Sequence, residues 1–396
     1  MSRHTAKRKS AGLICLIGLI SLIGHINPAQ AQLPLSPGAT ASVVTCGPGN
    51  DFYLAFGHSA LRITDTARGI DSVYNYGTFD FDTPHFYLKF AQGQLNYCLS
   101  RTSTEHFMAV YDYERRAVWE QRLNLTPQQV SNLYLMLEWN YLPENRYYRY
   151  DFFRDNCATR VRDMVESALG HTAVTYCEDY SGLSYRRYVH RSAGPCQQWW
   201  TLGVDLLLGL PADHRCDARD VMFHPIHMME TFGHSSLGRA GSSPADMVQP
   251  AVQHLSDHRP PLHRSFPPLA VFALLLALTA VLTVKGWWRP WMDRVLFIAA
   301  GAAGLFLCFM WFGTDHWCTR WNPNILWASP LLLLIAIRQH RSPRWALWLQ
   351  EGCFAVALLW ALACGLSPAI TPLILTLAAR VACLIPRKPQ QPQRQR

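Results

Sequence analysis

No two of the chain's 12 cysteines stand in a CxxC spacing. That absence removes the common sequence signature of a zinc site, so neither a metal nor a cofactor is assigned. A stripe of interleaved basic and aromatic residues is also missing. The net charge of +9 is therefore not the footprint of a nucleic-acid partner. Between Gln32 and about Arg264 the chain has no long hydrophobic run. It is a mixed polar and aromatic sequence of the kind that folds in water. From Leu269 to Ile385 the balance reverses, and Leu, Ala, Ile, Val, Phe and Trp dominate. The excess positive charge sits at Arg3, Lys7, Arg8 and Lys9, in short loops between apolar segments, and in the tail at Arg387 and Lys388. That pattern orients membrane proteins.

Three regions follow. Residues 1–31 have the layout of a secretory signal: Lys7-Arg8-Lys9, an apolar core from Leu13 to Ile23, and the small-x-small site Ala29-Gln30-Ala31. Residues 32–264 would then be an exported soluble domain, and 265–396 a membrane domain with a basic tail. Of the remaining cysteines, Cys308, Cys353, Cys364 and Cys383 lie in apolar segments and are expected to pack. Cys46, Cys98, Cys177, Cys196 and Cys216 would lie in an oxidising compartment where disulfides persist, with a pairing that spacing does not reveal.

Five apolar segments can be drawn, at 269–284, 295–313, 325–337, 346–364 and 369–385. A span needs roughly 20 residues, so the third and fifth are short. Basic residues flank alternate ends: Lys285, Arg289 and Arg294; Arg338, Arg341 and Arg344; then Arg387, Lys388, Arg394 and Arg396. Placed on the cytoplasmic side, they put the soluble domain in the periplasm, the C-terminus in the cytoplasm and the protein in a bacterial inner membrane. The loop from Thr314 to Asn324 then faces the soluble domain. Its His316, Asn322 and Asn324 are more polar than a turn requires and are candidates for the floor of a substrate site.

Within the soluble domain, Thr126-Pro127-Gln128-Gln129 opens a helix with a capping box. Ser59 to Thr64, Ser72 to Phe81 and Gln94 to Leu99 are strand-like, which predicts an α+β domain with a small antiparallel sheet. The sharpest feature is Asp155-Asn156-Cys157-Ala158-Thr159-Arg160. An Asp or Asn cap followed by Ala158, Val161, Val165, Ala168 and Leu169 at helical spacing puts Cys157 in a first helical turn. A helix N-terminus or a nearby imidazolium lowers a thiol's pKa, and the free backbone N–H groups there can hold an oxyanion. The candidate base is His58 in Phe56-Gly57-His58-Ser59. Asn75 is the candidate group to orient the imidazole, with Tyr74 and Asp71 as alternatives. The similar string Phe232-Gly233-His234-Ser235 is expected to be coincidental, because no strand pattern follows it. A cysteine nucleophile facing a membrane suggests chemistry on acyl chains or lipid-anchored substrates.

Several blocks carry a family resemblance: Cys46-Gly47-Pro48-Gly49, Phe56-Gly57-His58, Asn75-Tyr76-Gly77-Thr78-Phe79-Asp80-Phe81, Pro143-Glu144-Asn145-Arg146, and Asn156 to Asp163. They resemble the periplasmic domain of the Lnb-type lipoprotein N-acyltransferases, and the later apolar segments resemble that family's membrane domain. The resemblance implies a permuted papain-like soluble domain followed by an all-α bundle of about five transmembrane helices. It also implies Cys157 as nucleophile with His58 as base, a phospholipid or other acyl-donor lipid, and a diacylated lipoprotein as acceptor. Two other readings of the same residues remain: a membrane-anchored cysteine amidase or peptidase acting on cell wall, and a non-catalytic envelope scaffold.

Overall fold

The computed structural model describes residues 35–386, apart from 52–53, 81, 194–197, 239–242 and 261–264. The signal region, Cys15, Cys196 and the basic tail lie outside the described residues. At the centre of the soluble domain is a strand that shows no alternation in sequence, β1 (Thr40–Cys46), because it is buried along almost all its length. On one side it pairs antiparallel with β2 (His58–Asp65), followed by β3 (Ile70–Thr78), β4 (Asn96–Ser103) and β6 (Tyr147–Arg149). On the other side lie β5 (Val118–Arg122) and β10 (Val252–Leu255). The sheet thus has seven strands and is larger than expected. A strand covered on both faces is uniformly apolar and small, and so lacks the period-2 signal of a half-exposed one. A second, three-stranded sheet joins β7 (Ala173–Thr175), β8 (Ser236–Gly238) and β9 (Ala245–Asp246). A short strand therefore does follow Phe232-Gly233-His234-Ser235. His234 itself is exposed, with Nδ1 beside Glu230 O and Tyr180 Oη.

The two faces of the main sheet are covered differently. Val43, Leu61, Ile63, Tyr74, Tyr76 and Leu99 form one core with α3 (Pro127–Tyr141) and α4 (Cys157–Leu169). Val44, Ala60, Val73 and Val118 form another with Phe107 and Tyr111 of α2 (Thr104–Tyr113). The capping box at Thr126 and Gln129 is formed. An aromatic helix, α1 (Phe86–Ala91), lies between β3 and β4 in sequence. After α4 come α5 (Tyr185–Ala193), α6 (Gln198–Leu207) and α7 (Pro225–Gly233).

The apolar region folds into α8 (Pro268–Val284), α9 (Pro290–Phe312), α10 (Asn324–Trp327), α11 (Leu331–Arg338), α12 (Arg344–Cys364) and α13 (Ile370–Leu384). Two of these, α9 with 23 residues and α12 with 21, are long and apolar enough to cross a bilayer. The third apolar segment is not one helix. It breaks between Trp327 and Leu331, at Ser329-Pro330, where proline removes a donor. Such a break survives only inside protein. Here Gln350 of α12 donates to Leu326 O at 3.0 Å, and Ala328 is fully buried. A buried ion pair, Arg380 to Asp293, at 2.7 and 3.0 Å ties α13 to the start of α9.

α9 meets the broken segment at two glycines. A Cβ on Gly304 would fall 1.6 Å from Ala328 O, and one on Gly301 would lie 2.7 Å from Leu333 Cγ. Small residues let membrane helices approach this closely. Overpacking of this kind typically costs about 1–3 kcal/mol. Gly304→Ala should lower the unfolding temperature of the detergent-solubilised protein by several degrees. Gly352→Ala, with open space around its Cβ, should not lower it. Equal melting of the two variants would contradict this packing.

Candidate active site

The position of Cys157 is set by its neighbour. Asn156 is the N-cap of α4: its Oδ1 accepts from Ala158 N and Thr159 N, both at 2.9 Å, and Thr159 Oγ1 accepts from Asn156 N at 2.8 Å. The other end of the amide donates to Phe152 O at 2.7 Å and to Phe223 O at 2.9 Å. One side chain thus starts the helix and anchors it to Phe223. Cys157 follows, buried, at the edge of the core shared with Tyr76.

On β2, Gly57 has a φ of +82°, and a Cβ there would fall 2.4 Å from Cys46 O. Only glycine fits this turn, which delivers His58 to the start of the strand. His58 Nε2 lies 3.2 Å from Asn75 Oδ1. Of the three candidate orienting groups Asn75 alone reaches it. Tyr74 Oη donates to Glu138, and Asp71 accepts from Arg62 and Thr104. An amide oxygen accepts, so the network assigns the proton to Nε2 and leaves the Nδ1 lone pair available. The register between β3 and β4 shifts between Asn75 and Thr78. Gly77, at φ +90°, lies in that irregularity, and a Cβ there would sit 3.7 Å from Cys157 Cβ. Bulges of this type re-aim side chains beside active sites.

The electrostatics differ from the expectation of a preformed thiolate. Burial pushes the Cys157 thiol above its ordinary value of 9.0. Backbone N–H groups of Ser59, Ala158 and Cys157 and the charge of Arg116 oppose this without overcoming it. Burial also pushes His58 down to about 4, against the hydrogen bond it donates to Asn75, with Arg116 adding to the depression. Desolvation disfavours both charged forms. At neutral pH Cys157 is a thiol and His58 a neutral imidazole. Ser59 N–H, adjoining His58, is directed at the thiol and links the two elements.

Arg116 had no signal in the sequence. It is buried, its Nε donates to Gly47 O at 2.9 Å, its Nη1 pairs with Glu114 at 2.7 Å, and its Nη2 has no partner among the described residues. Cys46, opposite His58 in the ladder, is a buried thiol pushed up to about 12 by desolvation. All ten described cysteines are free, so the expected pairing among Cys46, Cys98, Cys177 and Cys216 is not formed.

The loop from Thr314 to Asn324 meets the soluble domain, but not as a bed of substrate ligands. The amide of Asn322 donates to Leu206 O and Leu207 O at 2.7 and 3.1 Å. That of Asn324 donates to Asp205 O and Leu206 O at 2.9 and 3.3 Å. These are the last carbonyls of α6, which have no intrahelical partner and must find one. Both asparagines are buried, and their amide nitrogens cap α6. His316 lies against α1, with Nε2 3.2 Å from Phe90 O. Trp317 lies under the Arg154 guanidinium at 3.3 Å, three residues before Cys157. A cavity of about 390 Å³ opens here, lined by Arg154, Tyr185, Pro211, His214, Asp220 and Trp317. Beneath it a fully buried Arg186 bonds Asp205 and Asp213, and Asp205 Oδ2 accepts from Ser367 N at 2.8 Å. The two domains are thereby locked to one another.

A capped cysteine reached by the N–H of Ser59, next in sequence to a His–Asn pair, and a bundle with bilayer-length helices define a membrane-associated protein with a candidate Cys/His site. Residues 29–188 match the model of the Lnb N-terminal periplasmic domain, and residues 261–389 match that of the Lnb transmembrane domain. The chain belongs to the Lnb family, and its N-terminal domain is periplasmic. No curated protein and no solved structure was found to match it.

The raised thiol pKa has a direct consequence. Alkylation of Cys157 by iodoacetamide in the intact protein should rise with pH and reach half its plateau only above pH 9. A rate already at its plateau at pH 7 would mean a standing thiolate, contrary to the burial described here.

Proposed function

We propose that the protein is a lipoprotein N-acyltransferase of the bacterial inner membrane, working through an acyl thioester on Cys157. The observation that carries this reading is the placement of Cys157 at a capped helix start beside the His58–Asn75 pair, in a chain with both Lnb domains. His58 Nδ1 takes the thiol proton as the sulfur attacks the ester carbonyl of a donor lipid. Because the thiol is not ionised at rest, the proton moves during the attack, as general-base catalysis requires. The N–H groups of Ser59 and Cys157 are the donors for the oxyanion. The lipid alkoxide leaves with the proton from His58, and the acyl group stays on sulfur. The α-amino group of a diacylated lipoprotein then attacks the thioester. His58 accepts the amine proton and returns it to the departing thiol. Asn75 keeps the imidazole in the productive tautomer.

The soluble domain has the strand-borne histidine and helix-borne cysteine of a permuted papain-like fold. The proposed topology has a cleaved signal, α8 to α13 forming about five spans, and a cytoplasmic C-terminus. The interdomain lock explains why such an enzyme carries a bundle: it holds Cys157 at a fixed place relative to the bilayer, where both lipid-bearing substrates are concentrated.

The test is a lipoprotein with a free diacylated N-terminal cysteine, incubated with phospholipid vesicles and the full-length protein. Mass spectrometry should show one added acyl chain on the N-terminal amine, absent with Cys157→Ala. Acylation of Cys157 by the donor lipid, a step with no amine in it, should hold as pH falls from 7 and be lost near pH 4, where His58 becomes protonated and can no longer accept a proton. Released fatty acid without acylated lipoprotein would make the protein a hydrolase instead.

A further inference from the structure

The helix α1 buries little of what it carries. Tyr87 is 81% exposed, Leu88 53% and Phe90 44%. An exposed apolar patch of this kind marks a contact surface. Its surroundings identify the contact. The backbone N–H of Asp315 donates to Gln92 O at 2.8 Å, Gln94 Nε2 donates to Asp315 Oδ2 at 3.1 Å, and His316 sits against Phe90 O. Gly93, at φ +69°, leaves room for the His316 ring, since a Cβ there would come within 3.3 Å of it. Asp315 lies three residues past the end of α9, the longest apolar helix of the bundle. These bonds fix α1 near the end of α9, a helix long enough to cross a bilayer. Aromatic side chains at the end of a spanning helix typically meet the membrane interface, as interfacial Trp and Tyr do.

From this patch a row of rings runs inward. Phe90 stacks on Phe86 at 6.2 Å between centroids. Phe86 meets Phe79 at 5.8 Å, Phe79 meets Tyr97 at 5.3 Å, and Tyr97 stacks on Tyr150 at 4.5 Å. Tyr150 and Cys157 flank the space over Gly77, where a Cβ would lie 3.8 Å from the one and 3.7 Å from the other. Nothing in the proposed chemistry uses these rings. They form a continuous row of aromatic contacts from α1 to the space beside the thiol, with Phe79 and Tyr150 half-buried and Tyr97 buried.

We infer that α1 rests in the outer leaflet of the membrane, and that the row Phe86, Phe79, Tyr97 and Tyr150 is the track along which an acyl chain of a membrane lipid reaches Cys157. The inference rests on the proposed acyl transfer for its last step, and on geometry alone for its first. A flexible chain lying along ring faces gains dispersion contacts over its whole length, whereas a short acyl group gains almost none. The track therefore selects for long chains and for donors delivered from a bilayer.

Two measurements separate the parts. Full-length protein is placed in palmitoyl-oleoyl phosphatidylglycerol vesicles doped with a phospholipid whose acyl chain ends in a photoreactive diazirine. After illumination, peptide mapping should find the label on Tyr87, Leu88 or Phe90 as well as on the membrane helices. Label confined to residues beyond 265 would overturn the membrane contact. In the second, the acylation of Cys157 by vesicle phospholipid is compared with its acylation by the soluble p-nitrophenyl acetate. Phe86→Ser should lower the ratio of the two rates by about tenfold or more, through lost positioning of the long chain. An unchanged ratio would overturn the track while leaving the thioester chemistry in place. If wild-type Cys157 accepts an acyl group from neither donor, the track falls together with the proposed function, and the photolabel still decides the membrane contact.

Discussion

Asn156 makes the bond that the rest of the site depends on. Its oxygen fixes where α4 begins, and its nitrogen ties that beginning to Phe152 and Phe223. A helix cap of this type contributes about 1 kcal/mol. Here the same side chain also decides which residue occupies the first turn. With the cap at 156, residue 157 meets β2 and β3, and its thiol meets the N–H of Ser59. A start one residue later would turn the thiol by about 100° around the helix axis. The chemistry then follows from burial. A thiol and an imidazole enclosed without a carboxylate partner both stay neutral, so the site stores reactivity as geometry and not as a standing ion pair.

The same economy of polar groups governs the join between the domains. Asp205 and Arg186 are fully buried and mutually bonded. Asp205 also accepts from His190 at 2.7 Å and from Ser367 N, so a single carboxylate belongs to α5, α6 and the membrane domain at once. Breaking a buried pair by removing one partner typically costs about 3–5 kcal/mol. Together with the asparagine cap on α6, this network resists rotation of the periplasmic domain on its bundle. On the proposed function a rigid join matters, because a nucleophile serving lipid substrates is useful only at one height above the membrane.

Much of this was legible in the sequence where local rules act alone. The capping box at Thr126, the Asp-or-Asn cap before Cys157, the split between a soluble and an apolar half, and Asn75 as one of three candidates to meet His58 needed only short-range patterns. What was not legible depends on long-range burial. The central strand β1 hides because it is covered on both faces. Arg116 looks like any surface arginine until the fold encloses it. The direction of the Cys157 shift was misjudged, since a helix start favours the thiolate only where water or a cation also does so. Asn322 and Asn324 were marked correctly as unusual, but their purpose is set by the carbonyls of a helix more than a hundred residues away.

The proposed chemistry requires an acyl group residing on Cys157. The most direct test is the intact mass of the full-length protein after incubation with phospholipid vesicles and no amine acceptor, followed by peptide mapping. The account predicts one acyl chain on the peptide containing Cys157, removable by hydroxylamine and absent with His58→Ala. An acyl adduct on another residue, or turnover of donor lipid with Cys157 never modified, would contradict it.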